Sequence, residues 1–156
     1  MFRRSLREVV AVATATVAVL GAGLITAPAA GAAIDYCTHT KSWPSSTDSG
    51  GRNAAAYLYI CGSDYLDYHY RAQFWADGER LAVHDNYADN REARIRLTVT
   101  GSDGQVVDWD YLENTGLKVY QLGTPDGSGD IAEGRRVRFS LCAEMSTCTR
   151  DVDGKS

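Results

Sequence analysis

The stretch YHYRAQFWADGERLAVH, residues 68–84, decides the fold class of this chain. Alternate residues from Tyr68 to Phe74 are apolar or aromatic, and this period of two is typical of a β-strand with one buried face. Asp77 and Gly78 follow, and glycine accepts the positive φ that a tight turn between antiparallel strands needs. The run Leu81–His84 then predicts the returning strand. The stretch therefore predicts a β-hairpin, and the face of Phe74 is expected in the core.

The same alternation continues toward the carboxyl end of the chain. It covers Ile95–Val99, Val107–Tyr111 and Val137–Leu141, with glycine-rich turn sequences between the runs. No segment shows a helical apolar stripe with capping residues. About six to eight short strands at this spacing predict an all-β fold, an immunoglobulin-like antiparallel β-sandwich. A small closed β-barrel is the alternative.

The amino-terminal residues have the pattern of a secretory signal peptide. Arginines at positions 3, 4 and 7 precede an apolar run over residues 9–25, and small residues follow over 27–33. Cleavage is expected after Ala32 or Ala33, with Ala29 as an alternative site. A single membrane anchor is the competing interpretation, because the run nearly reaches spanning length. We expect residues 1–33 to be removed and 34–156 to form one secreted, extracellular domain without membrane contact.

Composition argues against several classes of function. The chain has 156 residues, a formal charge of −4 and a pI near 5.3. Loss of the signal removes three arginines and one glutamate, so the charge becomes −6. Such an acidic chain does not fit a nucleic-acid binder. It has three histidines, four cysteines and no G-x-S-x-G motif. We therefore expect no enzyme activity, catalytic residue, metal or cofactor.

All four cysteines lie in the predicted exported part: Cys37, Cys61, Cys142 and Cys148. An even number in an oxidising compartment predicts two disulfides, which three connectivities could satisfy. The pairs Cys37–Cys61 and Cys142–Cys148 are favoured because each is close in sequence. A metal site is the alternative, but no C-x-x-C spacing occurs.

Two segments are candidates for binding a partner. Residues 41–53 are polar and rich in turn formers, which predicts a flexible loop or an extended arm that exposes Trp43 and Pro44. Exposed aromatic residues on loops commonly anchor interfaces. The second segment is the tip closed by Cys142–Cys148, which would present Glu144 and Met145 with little loss of entropy on binding. The partner expected is another secreted protein.

Several other residues are open to a functional and a structural interpretation. Lys41 or Arg52 could serve as the inhibitory residue of a serine-protease inhibitor on the 41–53 loop. Arg94 and Arg96 on one strand face could form a basic patch with Arg136 and Arg138 on another if the two strands are neighbours, although a solvated strand face is favoured. The oxygen-rich segments 85–90 and 126–130 could bind calcium, but turn formation explains them better. The remaining candidates are aromatic residues that could bind carbohydrate or cell wall, for which core packing is favoured: Tyr57, Tyr59, Tyr65, Tyr68, Tyr70, Trp75 and Tyr87.

The carboxyl-terminal sequence carries a resemblance to a class of known proteins. The segment GRRVRFSLC, residues 134–142, is followed by a short loop to Cys148. Together with an alanine-rich signal and an acidic β-patterned body, it resembles the small secreted β-sandwich proteins of actinobacteria that have two local disulfides. The resemblance implies a class that includes protease inhibitors, chromophore carriers and bridging subunits of secreted toxin particles. It assigns no role to any residue.

The leading hypothesis is a non-enzymatic protein-interaction module, such as an adaptor or bridging subunit of a secreted multi-protein assembly of toxin type. Three observations motivate this hypothesis: the sequence lacks a set of catalytic residues, it predicts a sandwich with two disulfides, and it has two candidate binding loops. A secreted protease inhibitor and a carbohydrate or cell-wall binding module are the alternatives.

Overall fold

The computed structural model describes residues 34–87, 91–123, 130–143 and 147–156. All of them belong to one compact unit, Ala33–Ser156. The predicted signal peptide, residues 1–33, lies outside the described residues, so its prediction stays an expectation.

Ten β-strands form the described part of the chain. They are β1 Tyr36–Pro44, β2 Arg52–Ile60, β3 Tyr70–Trp75, β4 Arg80–Asp85, β5 Ala93–Thr100, β6 Val106–Asn114, β7 Leu117–Gln121, β8 Arg136–Ala143, β9 Thr147–Cys148 and β10 Val152–Lys155. The all-β prediction is confirmed.

The strands pair in one antiparallel sheet with the order β6-β5-β8-β10-β2-β3-β4-β7. Two further strands belong to the sheet but lie outside this order: β1 pairs with β2, and β9 pairs with β8. The sheet curls until it is nearly closed and barrel-shaped, with β6 and β7 at its two ends. This form agrees with the small closed barrel, which was the predicted alternative to a sandwich.

Alternation along each strand separates a buried inner face from an outer face. In β3, Tyr70, Ala72 and Phe74 are buried against the core, while Arg71 and Gln73 point outward. The predicted hairpin is confirmed, since β3 and β4 pair with Phe74 opposite Leu81. Other strands contribute the rest of the core, in which the largest members include Leu58, Ile95, Leu97, Phe139 and Leu141.

The structure contains both disulfides that sequence proximity favoured. Cys37–Cys61 joins the beginning of β1 to the residue that follows β2, with Cα atoms 4.9 Å apart. Cys142–Cys148 joins directly opposite residues of β8 and β9, with Cα atoms 4.0 Å apart. Cys37–Cys61 therefore ties together the open end of the β1–β2 hairpin, and Cys142–Cys148 ties β8 to β9.

The structure corrects the expectation of a flexible loop over residues 41–53. β1 continues to Pro44 and β2 begins at Arg52, with Trp43 opposite Asn53. Only a turn separates the strands, closed by a hydrogen bond from Ser45 N to the carbonyl of Gly51 over 2.9 Å. The polar residues at the end of β1 resemble a loop because this strand has an exposed face. A strand with an exposed face accepts polar residues that a fully buried strand does not.

Candidate functional site

The outer face of β6 carries an apolar ridge, which we define as Val107, Trp109 and Tyr111. Their exposed fractions are 44%, 70% and 44%. Successive strand residues point to opposite faces, so the residues between them turn toward the inside. Leu112 confirms this orientation, because it packs against the hydrophobic core. The ridge is thus a continuous apolar surface directed away from the core.

The ridge lies on a strand at the edge of the sheet. β6 pairs with β5 along its length and is the first strand in the sheet order. Within the described ranges, no strand pairs with its other edge, although some backbone groups of β6 are already bonded: Trp109 N donates to Asp108 Oδ1 over 2.8 Å, and the carbonyl of Glu113 accepts from Tyr120 Oη over 2.8 Å. An edge strand beside exposed aromatic rings is a geometry that extended segments of other proteins recognise.

Arg96 is the cation beside the ridge. It lies opposite Tyr111 on β6 and opposite Ser140 on β8, and its side chain is exposed. The neighbouring Arg94 differs, because its Nε lies 3.0 Å from a carboxylate oxygen of Glu113. A carboxylate from a partner could therefore reach Arg96 while Arg94 remains paired.

The two strands that carry the arginines are neighbours, as a basic patch requires, but the charge of one arginine is balanced by a carboxylate. β5 and β8 are neighbours, and Thr98 lies opposite Arg138. The Nε atom of Arg138 lies 2.8 Å from Asp153 Oδ1, and this hydrogen bond raises the pKa of Arg138. The basic patch is therefore partly neutralised by β10.

Sequence reasoning missed the ridge, although it identified the strand. The alternation of Val107, Trp109 and Tyr111 with two aspartates fits either orientation of the strand, and burial of the aromatic face is the usual one. Here the aspartates, Asp108 and Asp110, lie on the inner side and are half-buried. Inward-pointing charges are a known feature of edge strands. This acidic alternation was the signal that could have identified an edge.

Trp43 and Pro44, the predicted partner anchors, lie at the end of β1. The Trp43 side chain is half-buried, and Lys41 Nζ lies 5.3 Å from its ring centroid. Its surface is thus partly covered by its own chain, while Pro44 is exposed. The other two predicted anchors, Glu144 and Met145, lie outside the described residues.

The residues considered for a protease inhibitor are held in strands. Lys41 lies within β1, and its Nζ also approaches the rings of Tyr57 and Tyr65. Arg52 begins β2 and donates a hydrogen bond from Nη2 to Ser42 Oγ over 3.1 Å. Neither occupies the protruding substrate-like loop that the inhibitor hypothesis requires.

The tyrosines considered for sugar binding pack mainly on neighbouring rings. His39 stacks on Tyr65 with centroids 4.2 Å apart, and Tyr57 meets Tyr65 and Tyr68 edge to face. Tyr70 is fully buried in the core. These contacts occupy the flat faces that a sugar ring would need, so the arrangement favours packing over a binding platform.

The described residues contain no group of three or more His, Cys, Asp or Glu side chains that could hold a metal ion. Residues 88–90 and 124–129, which include much of the two calcium candidates, lie outside the described ranges. In the part of the chain that the structure describes, no helix has the length and apolarity needed to span a bilayer.

No protein-family model, curated protein or solved structure matches this chain. The interpretation of its surface therefore depends on geometry and chemistry. Among the large apolar side chains that the structure describes, Trp109 is the most exposed.

Proposed function

We propose that this chain is a secreted, non-enzymatic protein-interaction module, an adaptor or bridging subunit that binds another exported protein through the β6 ridge. The exposure of Trp109 on the outer face of an edge strand carries this proposal. Tryptophan and tyrosine dominate the binding energy of many interfaces because they bury large areas with few rotatable bonds. The two disulfides fit a protein that works in an oxidising compartment.

The partner that fits this surface is an extended segment with alternating apolar and acidic side chains. It would lie along the ridge of β6, with its apolar side chains packed against Trp109 and Tyr111. A carboxylate two positions along the same face would reach Arg96. The aromatic contacts would supply affinity, and the charged contact would supply specificity.

A photo-reactive benzoylphenylalanine in place of Val107 would identify the partner in the culture medium of the source organism. The purified partner would then be titrated with the unmodified protein and with Trp109→Ala. Leu66→Ala is the matched control, because Leu66 is 61% exposed in a turn after β2. We expect Trp109→Ala to weaken binding about tenfold or more, as at an interface hot spot, and the control to bind normally.

Equal affinity of the unmodified protein and Trp109→Ala would reject the ridge as the binding surface. Sedimentation of the purified chain supplies a further test. A mass twice that of the monomer, which falls to the monomer mass in Trp109→Ala, would assign the ridge to a second copy and overturn the adaptor proposal. Circular dichroism of both variants should match the unmodified protein, since both side chains are mainly exposed.

A further inference from the structure

A row of three cations crosses the outer face of the sheet at one end. Lys155 on β10 lies opposite Arg52 on β2 and opposite Arg136 on β8, and Arg136 lies opposite Thr100 on β5. Directly opposite residues of antiparallel strands share a face, with Cβ atoms about 5 Å apart. The register therefore brings two guanidinium groups and one ammonium group together from three strands.

These cations line a cavity of about 580 Å³. The hydroxyl side chains of Ser42, Thr100 and Ser102 also line it, together with glycines of the surrounding turns. The hydrogen bond from Arg52 Nη2 to Ser42 Oγ holds one guanidinium at the wall. A cavity of this size falls within the usual range of small-molecule sites.

Among the described residues, three cations line this cavity against a single carboxylate. The one carboxylate in the lining, Asp153, is hydrogen-bonded to Arg138 at 2.8 and 3.4 Å. No ion pair joins Arg52, Arg136 or Lys155 to a described carboxylate. Like charges placed opposite each other on a sheet destabilise it. The binding of an anion would explain why three cations lie next to each other in a chain whose net charge is −4.

The backbone around the cations is fixed by contacts with the core. A Cβ atom on Gly154 would overlap the ring of Phe74 and lie 3.1 Å from the carbonyl oxygen of Arg52. Gly154 therefore lets β10 lie directly on the core between β8 and β2. This close approach positions Lys155, the next residue, between Arg136 and Arg52.

We propose that this cavity binds the phosphate or sulfate group of a small organic ester. Arginine forks match the oxygens of tetrahedral oxyanions in a bidentate manner, and hydroxyl groups complete such sites. An inorganic anion would fill only a small part of the cavity, so the remaining space would hold the organic part of the ester. A second cavity of about 560 Å³ is lined by acidic residues, which include Asp48, Glu79 and Glu133, and would repel the same ligand.

The test is calorimetric titration of the full chain with inorganic phosphate and, separately, inorganic sulfate, at constant ionic strength set with chloride. The variant Arg136→Gln/Lys155→Gln removes two cations of the cavity. The control Lys118→Gln/Arg150→Gln removes the same charge from an exposed lysine and an exposed arginine that do not line it. We expect saturable binding to the unmodified protein, weakened about tenfold or more in the cavity variant and less than about twofold in the control.

Preference for phosphate would identify phosphate esters as the ligand class, and preference for sulfate would identify sulfate esters. The absence of saturable binding of both anions up to about 10 mM would overturn the proposal. Equal weakening in the two double variants would also overturn it, because general attraction to a positive surface would then explain the binding. Arg136→Lys, which keeps the charge but not the fork, should bind with intermediate affinity if bidentate contact matters.

Discussion

Arg71 donates a hydrogen bond from Nη2 to the Nε2 atom of His84 across 2.7 Å. The two residues lie opposite each other on β3 and β4. A guanidinium has no acceptor, so Nε2 must accept, and the proton of the neutral ring is on Nδ1. Burial lowers the pKa of His84, and the charge of Arg71 lowers it further. The folded state therefore favours the neutral imidazole.

This relationship predicts a loss of stability on mild acidification. An unfolded histidine has a pKa near 6.5, above that of the folded His84. The unfolded chain therefore binds the proton first, and the stability present above that pH declines as the pH falls through the folded pKa. Urea unfolding at about pH 7.5 and about pH 5.5 should show a larger decline in the unmodified protein than in His84→Gln. Equal declines would contradict the prediction.

Glu79 has the opposite dependence on pH. Burial is the largest cause of its raised pKa, and the negative charges of Asp130, Glu133 and Asp48 raise the pKa further. A backbone hydrogen bond from Ile131 acts in the opposite direction. A group whose pKa is raised by folding stabilises the folded state at pH values below its pKa in the unfolded chain. This contribution is lost as the pH rises through the pKa of the group in the folded protein.

Glu79→Gln should therefore increase the free energy of unfolding near pH 7, and the gain should disappear near pH 3.5. Asp67→Asn is the control, since Asp67 is an exposed carboxylate in the turn after β2. A gain of equal size in this control would show that reduced net charge, rather than the environment of Glu79, is responsible.

The two disulfides should contribute unequally to stability. Cys37–Cys61 closes a loop with a sequence separation of 24, and Cys142–Cys148 one of 6. The chain-entropy model gives about 3.5 kcal/mol for the first bridge and about 2.4 kcal/mol for the second. Removal of each pair by double substitution with alanine, followed by urea unfolding, would measure both contributions. A larger loss from the shorter loop would contradict this model for the chain.

Gly154→Ala should destabilise the sheet at the end that holds the cation row. The new methyl group would overlap Phe74, and overpacking of this kind costs about 1–3 kcal/mol. Phe74→Leu in the Gly154→Ala background should recover part of the loss, because the smaller side chain makes room for the methyl group. Additive losses in a double-mutant cycle would show that the two residues do not meet as described.

Patterning along the chain predicted the strands well and the environment of their faces less well. The hairpin of residues 68–84 could be recognised because alternation, Asp77 and Gly78 all indicate the same structure. Trp109 could not be placed, since alternating residues define two faces but not which face meets the core. The polar end of β1 was taken for a loop because local propensity does not include the backbone pairing that β2 supplies.

The cation row shows a different limit. Arg52, Arg136 and Lys155 are distant in sequence, and no local pattern indicates that they lie together. Arg136 and Arg138 were identified as one polar strand face, but the ion pair of Arg138 with Asp153 depends on the register of β8 with β10. The same register leaves Arg136 beside Lys155.

The sequence by itself determined the all-β class, the hairpin around Gly78 and the pairing of cysteines that lie near each other. These features depend on alternation, turn chemistry and short loop closure, which are local properties of a chain. Tertiary structure alone decided that β6 lies at an edge with Trp109 outward, and that three separated cations share one cavity. Both depend on which strands become neighbours and in what register, and this is set by the packing of the whole core.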